Sequence, residues 1–144
     1  MSVRDTSKGF RYRGRKSGGP ATIQDLLFKD SETLSIGDIV NLETGELDLA
    51  ATGDTALVGV VLETIAGTDS TTRIKVVTDP DAIYGVYDAN ARLVGATLDI
   101  SGATGAQTVA ASSNKEFVVY AESTATEETL VMFNTGAHYQ NVAL

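Results

Sequence analysis

Residues 34–63, LSIGDIVNLETGELDLAATGDTALVGVVLE, decide the fold. Runs rich in Val, Ile and Leu at 38–42 and 57–62 are separated by Ile36-Gly37-Asp38, Thr44-Gly45 and Thr52-Gly53-Asp54. Short apolar runs punctuated by Gly, Asp and Thr are the mark of strands joined by tight turns. The spacing predicts a compact β-meander, and no residue in it carries evident catalytic chemistry.

The same pattern continues on both sides. Residues 71–78, TTRIKVVT, form a further strand, with Arg73 and Lys75 on one face and Ile74 and Val76 on the other, because successive strand side chains alternate. The two cations read as ordinary solvated charges paired with nearby carboxylates. Asp79-Pro80-Asp81 interrupts the chain, since proline lacks a backbone donor and restricts its predecessor. It marks the best internal boundary, where two subdomains of a single body (residues 21–144) would meet. Strands are expected at 82–87, 93–100, 117–121 and 130–133, with turns near 88–90 and 101–105. Residues 21–29, ATIQDLLFK, carry a helix-start signal in Thr22 and Asp25, but the contiguous Leu26, Leu27 and Phe28 have no helical period, so extended chain is favoured. The fold class is all-β, a small β-barrel or β-sandwich-like body of short strands. Leu57-Val58-Gly59 and Leu93-Val94-Gly95 echo one another, which suggests equivalent strand environments with glycine at a bulge or close approach.

The net charge of −8 conceals an asymmetry. Residues 1–20 hold six cations and one acid, a net of +5, whereas the remaining 124 hold five cations and eighteen acids, a net of −13. Gly9, Gly14, Gly18, Gly19 and Pro20 lie among those cations without aliphatic periodicity, so residues 1–20 read as a flexible basic N-terminal arm. Its candidate contact residues are Arg4, Lys8, Phe10, Arg11, Tyr12, Arg13, Arg15 and Lys16. Phe10 and Tyr12 between arginines could stack on bases while the guanidinium groups meet phosphates. A basic tail ordered by a protein neighbour is the commoner meaning of such a segment, and the acidic body argues against nucleic acid.

At 144 residues the chain suffices for one domain with a real core. No apolar run approaches the roughly 18 residues of a membrane span, and residues 1–19 lack the apolar segment of a secretory signal. A soluble protein, not exported by that route, is expected. The absence of cysteine excludes disulfides and cysteine-bound metals. His138 is the only histidine and lacks an evident orienting partner or nucleophile, so it reads as a surface or hydrogen-bonded residue rather than a base. No nucleophile elbow, phosphate loop or dinucleotide fingerprint is present. Neither an enzyme nor a cofactor is expected. Asp79, Asp81, Asp88, Glu127 and Glu128 lack calcium-loop spacing and read as a solvated acidic surface, able to attract the basic arm of a neighbouring copy. No metal site is expected.

Ser35-Ile36-Gly37-Asp38-Ile39-Val40, Glu43-Thr44-Gly45-Glu46, Ala50-Ala51-Thr52-Gly53-Asp54 and Leu57-Val58-Gly59-Val60, in that order, resemble the opening half of small tailed-bacteriophage capsid decoration (head cement) proteins. Asp79-Pro80-Asp81-Ala82-Ile83-Tyr84, then Leu93-Val94-Gly95-Ala96-Thr97-Leu98-Asp99-Ile100, then Val131-Met132-Phe133-Asn134, are similar to their later half. The resemblance spans about residues 30–135. It implies a β-rich structural protein of the virion, made in the host cytoplasm and bound to the outer surface of the mature capsid between subunits of the major capsid protein. It further implies a homo-oligomer, with a trimer favoured, and an N-terminal arm that reaches neighbouring subunits. Two rivals are a small β-barrel that binds nucleic acid through the basic arm and a tail or head-connector component. A lipoyl-carrier hairpin would display a lysine at a tight turn, and the turns at 44–45, 52–53 and 67–68 have none.

Overall fold

The computed structural model describes residues 9–29, 32–66, 73–88, 90–111, 115–124, 128–134 and 136–140. Arg4, Lys8 and Glu127 lie outside the described residues. The strands are β1 (Phe10–Arg15), β2 (Ile23–Leu27), β3 (Thr33–Leu34), β4 (Ile39–Glu43), β5 (Glu46–Leu49), β6 (Leu57–Val60) and β7 (Ile65–Ala66). They continue with β8 (Arg73–Val77), β9 (Ala82–Val86), β10 (Thr97–Ser101), β11 (Thr108–Ala111), β12 (Phe117–Ala121) and β13 (Thr129–Phe133). A six-stranded antiparallel sheet runs β1-β9-β13-β12-β10-β11, a three-stranded one runs β5-β4-β6, and β2-β8 and β3-β7 form pairs.

The all-β class holds, and the body is sandwich-like. No sheet closes into a barrel: β1 and β11 remain the edges of the large sheet, and the residues just before each strand meet where Gly9 N–H donates to the Gln107 carbonyl at 2.8 Å. Between the six- and three-stranded sheets lies a core containing Ile39, Leu57, Val60, Tyr84, Ile100, Phe117, Val131 and Phe133. A second core of Phe28, Leu34, Val40, Leu47, Val58, Val61, Ile74 and Val76 covers the opposite face of the three-stranded sheet. Adjacent residues of β4 and β6 therefore serve different cores, Ile39 and Leu57 one, Val40 and Val58 the other. Burial on both faces explains why these strands read as continuous apolar runs without alternation.

The stretch 34–63 is not a meander. Thr44 (φ 53°) and Gly45 (φ 82°) form a two-residue hairpin with both residues left-handed, as a tight β4–β5 turn requires. β6 then pairs with β4 rather than β5. The physical reason is burial: Leu57, Val58 and Val60 are 0–2% exposed, while Glu46 and Asp48 of β5 keep that strand at a rim. Residues 50–56 carry the chain back across β4 so that β6 enters the interior.

β2 and β8 are extended as expected, and Ile74 and Val76 are buried while Arg73 and Lys75 face outward. Lys75 Nζ lies 3.1 Å from Asp25 Oδ1, an exposed pair contributing little stability. Residues 79–81 link β8 to β9, and the flanking Val77 and Ala82 both lie in the first core. The strand expected at 93–100 begins only at Thr97, because residues 93–96 form a turn closed by Ala96 N–H to the Leu93 carbonyl. The two Leu-Val-Gly segments consequently do not share an environment, one lying in strand β6 and the other in that turn.

Candidate functional site

Residues 10–15 are not a flexible arm but strand β1, paired with β9. Two aromatic residues drive this correction. Phe10 is 2% exposed and stacks on Phe117 with ring centroids 5.2 Å apart. Tyr12, on the same face, packs against the first core and meets Tyr84 edge-on at 6.5 Å. Burying the Phe10 ring favours docking by about 1.5–3 kcal/mol, and the partly buried Tyr12 ring adds less, which together offset the entropy that composition alone suggests would keep the segment loose. The rings are thereby withdrawn from stacking on bases.

Arg11 and Arg13 take the opposite face, where Glu128 meets them, while the irregularity between Tyr12 and Gly14 sets Arg15 beside the core-facing Ala82. Arg13 grips Glu128 with a two-pronged contact, Nε to Oε1 and Nη2 to Oε2, both 2.8 Å, and Arg11 Nη1 reaches Oε2 at 3.4 Å. Glu128 precedes β13, which is separated from β1 by β9, so its carboxylate has to cross β9. It does so at Gly85, the register partner of Arg11, where a Cβ would stand 2.1 Å from Glu128 Oε1. Glycine inside a strand here marks the close passage of another group.

Arg15 closes the strand. Its Nε lies 3.0 Å from Asp81 Oδ1 and 3.4 Å from Asp79 Oδ1. Ser17 donates both its amide and its hydroxyl to Asp81 Oδ2, and Thr22 N–H donates to Asp79 Oδ2 at 2.7 Å. Burial pushes the Asp81 carboxyl up, but the Ser17 and Arg15 hydrogen bonds outweigh it and hold the group below its ordinary value. Lys16 is exposed, and its amide donates to the Asp81 carbonyl. Of the sequence candidates, the structure thus turns Phe10 and Tyr12 inward, joins Arg11, Arg13 and Arg15 to the chain's own acids, and leaves Lys16 outward. The described ion pairs of Arg11, Arg13 and Arg15 are made within one chain.

His138 is fully buried and hydrogen-bonded at both ring nitrogens. Gln140 N–H donates to Nδ1, which places the ring proton on Nε2, and that nitrogen donates to the Val58 carbonyl at 3.0 Å. Burial lowers its pKa, against hydrogen bonds to the Val58 and Thr78 backbone that raise it. Among the described residues no three His, Asp or Glu side chains are grouped to hold a metal ion. No helix among them is long and apolar enough to cross a membrane.

Asp79 and Asp88, read from the sequence as solvated surface acids, are 2% and 4% exposed because hydrogen bonds and the guanidinium groups of Arg15 and Arg92 meet them, and further buried polar residues escaped sequence reasoning. Asp38 accepts Ser35 N–H and Gly105 N–H, both at 2.8 Å, and the Thr104 hydroxyl, tying the first turn of the 34–63 stretch to the β10–β11 loop. Gln107 accepts Ile39 N–H at 2.6 Å and donates to the Ile39 and Ala50 carbonyls at 3.1 and 3.2 Å, replacing a missing strand neighbour. Glu116 is 1% exposed; its Oε1 accepts Ile100 N–H at 3.0 Å, while Oε2 has no hydrogen-bond partner. Glu116 lines a cleft of about 330 Å³ together with Gly53, Asp54, Thr55, Lys115 and Asn134. Burial raises its pKa, as do Asp99 and Asp54, while the Ile100 and Gly53 amides act in the opposite direction. The Gly37-Asp38 turn was visible in the sequence; nothing local distinguishes Gln107 or Glu116 from surface residues.

Comparison of the chain with protein-family models and with curated proteins finds no match.

Proposed function

We propose that this chain is a virion structural protein that decorates and stabilises the outer surface of a mature tailed-phage capsid by binding between subunits of the major capsid protein. The ordered resemblance over residues 30–135 motivates the reading. The structural observation that carries it is where apolar surface remains. Leu93 (70% exposed) and Val94 (64%) project from a turn that Gly95 N–H fastens to the Val119 carbonyl, beside the exposed Tyr120 of β12. Ile36 and Leu62 are also exposed, on segments joined by Gly37 N–H to the Val61 carbonyl. Exposed apolar groups on turns tied by backbone hydrogen bonds suit a protein that adheres to others.

The action is mechanical. A subunit that binds the expanded coat lattice more tightly than its precursor shifts the lattice toward the expanded state by its differential affinity, without chemistry. Since β1 belongs to the body, the contact proposed for the basic segment falls to Arg4, Lys8 and Lys16. Association as trimers is part of the proposal and rests on the resemblance.

The test is the copy number of this polypeptide in purified virions relative to coat protein. A number comparable with coat supports decoration. A handful of copies points to the connector or tail reading, and absence overturns a virion role. Salt-sensitive binding to single-stranded oligonucleotides would instead favour the nucleic-acid reading.

A further inference from the structure

Glu116 lines a cleft that the reading as a capsid protein leaves without a use. It lies where the loop between β5 and β6 meets the C-terminal half, with Gly53, Asp54 and Thr55 on one side and Lys115, Glu116 and Asn134 on the other. Its walls are well positioned. Lys115 N–H donates to Asp99 Oδ1 at 2.7 Å, Asn134 Nδ2 donates to the Lys115 carbonyl at 3.1 Å, and Ala51 N–H donates to Asp54 Oδ2 at 2.8 Å. A Cβ at Gly53 or Gly136 would meet no atom within 4 Å, so the rim is open at both glycines.

We propose that this cleft binds a guanidinium or primary ammonium group, with Glu116 Oε2 as the inner acceptor and Asp54 as the outer one. The Ile100 amide orients the Glu116 carboxylate through Oε1, and Oε2 completes no hydrogen bond, although the Gly53 amide faces the carboxylate. A buried carboxylate oxygen without a donor is destabilising, and a ligand that supplies N–H groups relieves that penalty. Charge selects the ligand class. Asp54 shares the cleft and Asp99 lies behind it, so an anion is repelled, and a neutral donor leaves the negative field unmet. Lys115 is the one cation among the lining residues named. Among the described residues no three acids or histidines are grouped to ligate a divalent ion, whereas about 330 Å³ accommodates an arginine or lysine side chain.

Such a group can arrive on a free small molecule or on a basic segment of another copy of this chain. Both sources are tested by titrating the full chain with agmatine and with a peptide of residues 1–8, MSVRDTSK, while following backbone amide resonances. Saturable shifts confined to residues 53–55, 115–116 and 134 are expected with at least one probe. Tighter binding of the peptide assigns the occupant to a second copy, and tighter binding of agmatine assigns it to a free cation. Glu116→Gln, which retains an acceptor for Ile100 N–H, should weaken binding about tenfold or more, the scale of a hydrogen bond to a charged group. Asp54→Asn should weaken it less. A second readout needs no variant: carboxyl-carbon titration of Glu116 should show its pKa lowered when the probe is bound. Absence of shifts in the cleft with both probes, equal affinity in Glu116→Gln, or a Glu116 titration indifferent to the probe overturns the proposal.

Discussion

Leu57-Val58-Gly59 and Leu93-Val94-Gly95 spell the same three residues in opposite surroundings. Leu57 and Val58 are fully buried, whereas Leu93 is 70% and Val94 64% exposed. A Cβ at Gly59 would lie 1.8 Å from the Val77 carbonyl oxygen, while at Gly95 it would meet nothing within 4 Å. Long-range partners make the difference. The first copy is fastened by β4, by the Ala137 carbonyl and Tyr139 amide on Leu57, and by the His138 ring on Val58. The second copy sits in a turn closed by Ala96 N–H to the Leu93 carbonyl and held to β12 by Gly95 N–H to the Val119 carbonyl, with its side chains outward and Gly95 at φ 86° in the third position, the conformation of a turn that favours glycine there. Identical local letters supply apolar groups and a permissive backbone; contacts far along the chain decide whether they become core or surface.

Substitution at the two glycines should separate the copies most. Gly59→Ala forces β6 off β8 and should destabilise the protein by about 4 kcal/mol or more, or prevent folding, since the clash is with backbone. Gly95→Ala meets open space and should cost about 1 kcal/mol for its left-handed backbone. Urea unfolding checks both, and equal costs would break the comparison. Leu57→Ala should cost about 2–5 kcal/mol through lost burial and a residual cavity. Leu93→Ala should stay within about 0.5 kcal/mol of wild type while weakening any adhesion made through its turn.

Gly85 is an intermediate case that sharpens the distinction. There the intruding atom is the end of the Glu128 side chain, which can withdraw. Gly85→Ala should therefore fold, lose the Glu128 contacts to Arg11 and Arg13, and cost about 1 kcal/mol, with faster amide exchange in β1. Adding Glu128→Gln to Gly85→Ala should have little further effect, because both remove one interaction.

The smallest effect concerns the histidine on the buried copy. The folded-state pKa of His138 lies below its ordinary 6.5, so the unfolded chain takes up the proton first. The stability due to this group is complete above about pH 6.5 and is lost as the pH falls through the window below it. Asp48, pushed up to about 6 by burial and by Glu43, works in the opposite direction, favouring the fold toward acid and less so as pH rises from 3.8 through 6. Glu116 has the same sign as Asp48. The His138 contribution is isolated by comparing unfolding midpoints at pH 7 and pH 5 in wild type and His138→Gln: the variant should lose less stability on acidification. An identical loss would remove the role assigned to the ring.

Much of the fold was legible because its signals are local. The alternation of Arg73, Ile74, Lys75 and Val76, the turn at Thr44-Gly45 and the extended run at Leu26-Leu27-Phe28 each express a period or a backbone preference within a few residues. The basic segment was harder to read because its composition describes the chain before it finds partners. Six cations and four glycines in residues 1–20 describe a loose arm. They conceal that Phe10 and Tyr12 occupy one strand face while Arg11 and Arg13 share a carboxylate 115 or more positions away.

By itself the sequence determined an all-β chain without cysteine chemistry, the turns that divide its strands, and the opposite charges of its N-terminal segment and its body. The tertiary structure alone decided that β6 lies beside β4, that β1 is an edge strand, that one Leu-Val-Gly is core and the other surface, and that Glu116 is buried with one oxygen unmatched. The physical reason is that strand order, and the burial of a polar group, depend on contacts between residues distant in sequence, which no local pattern encodes.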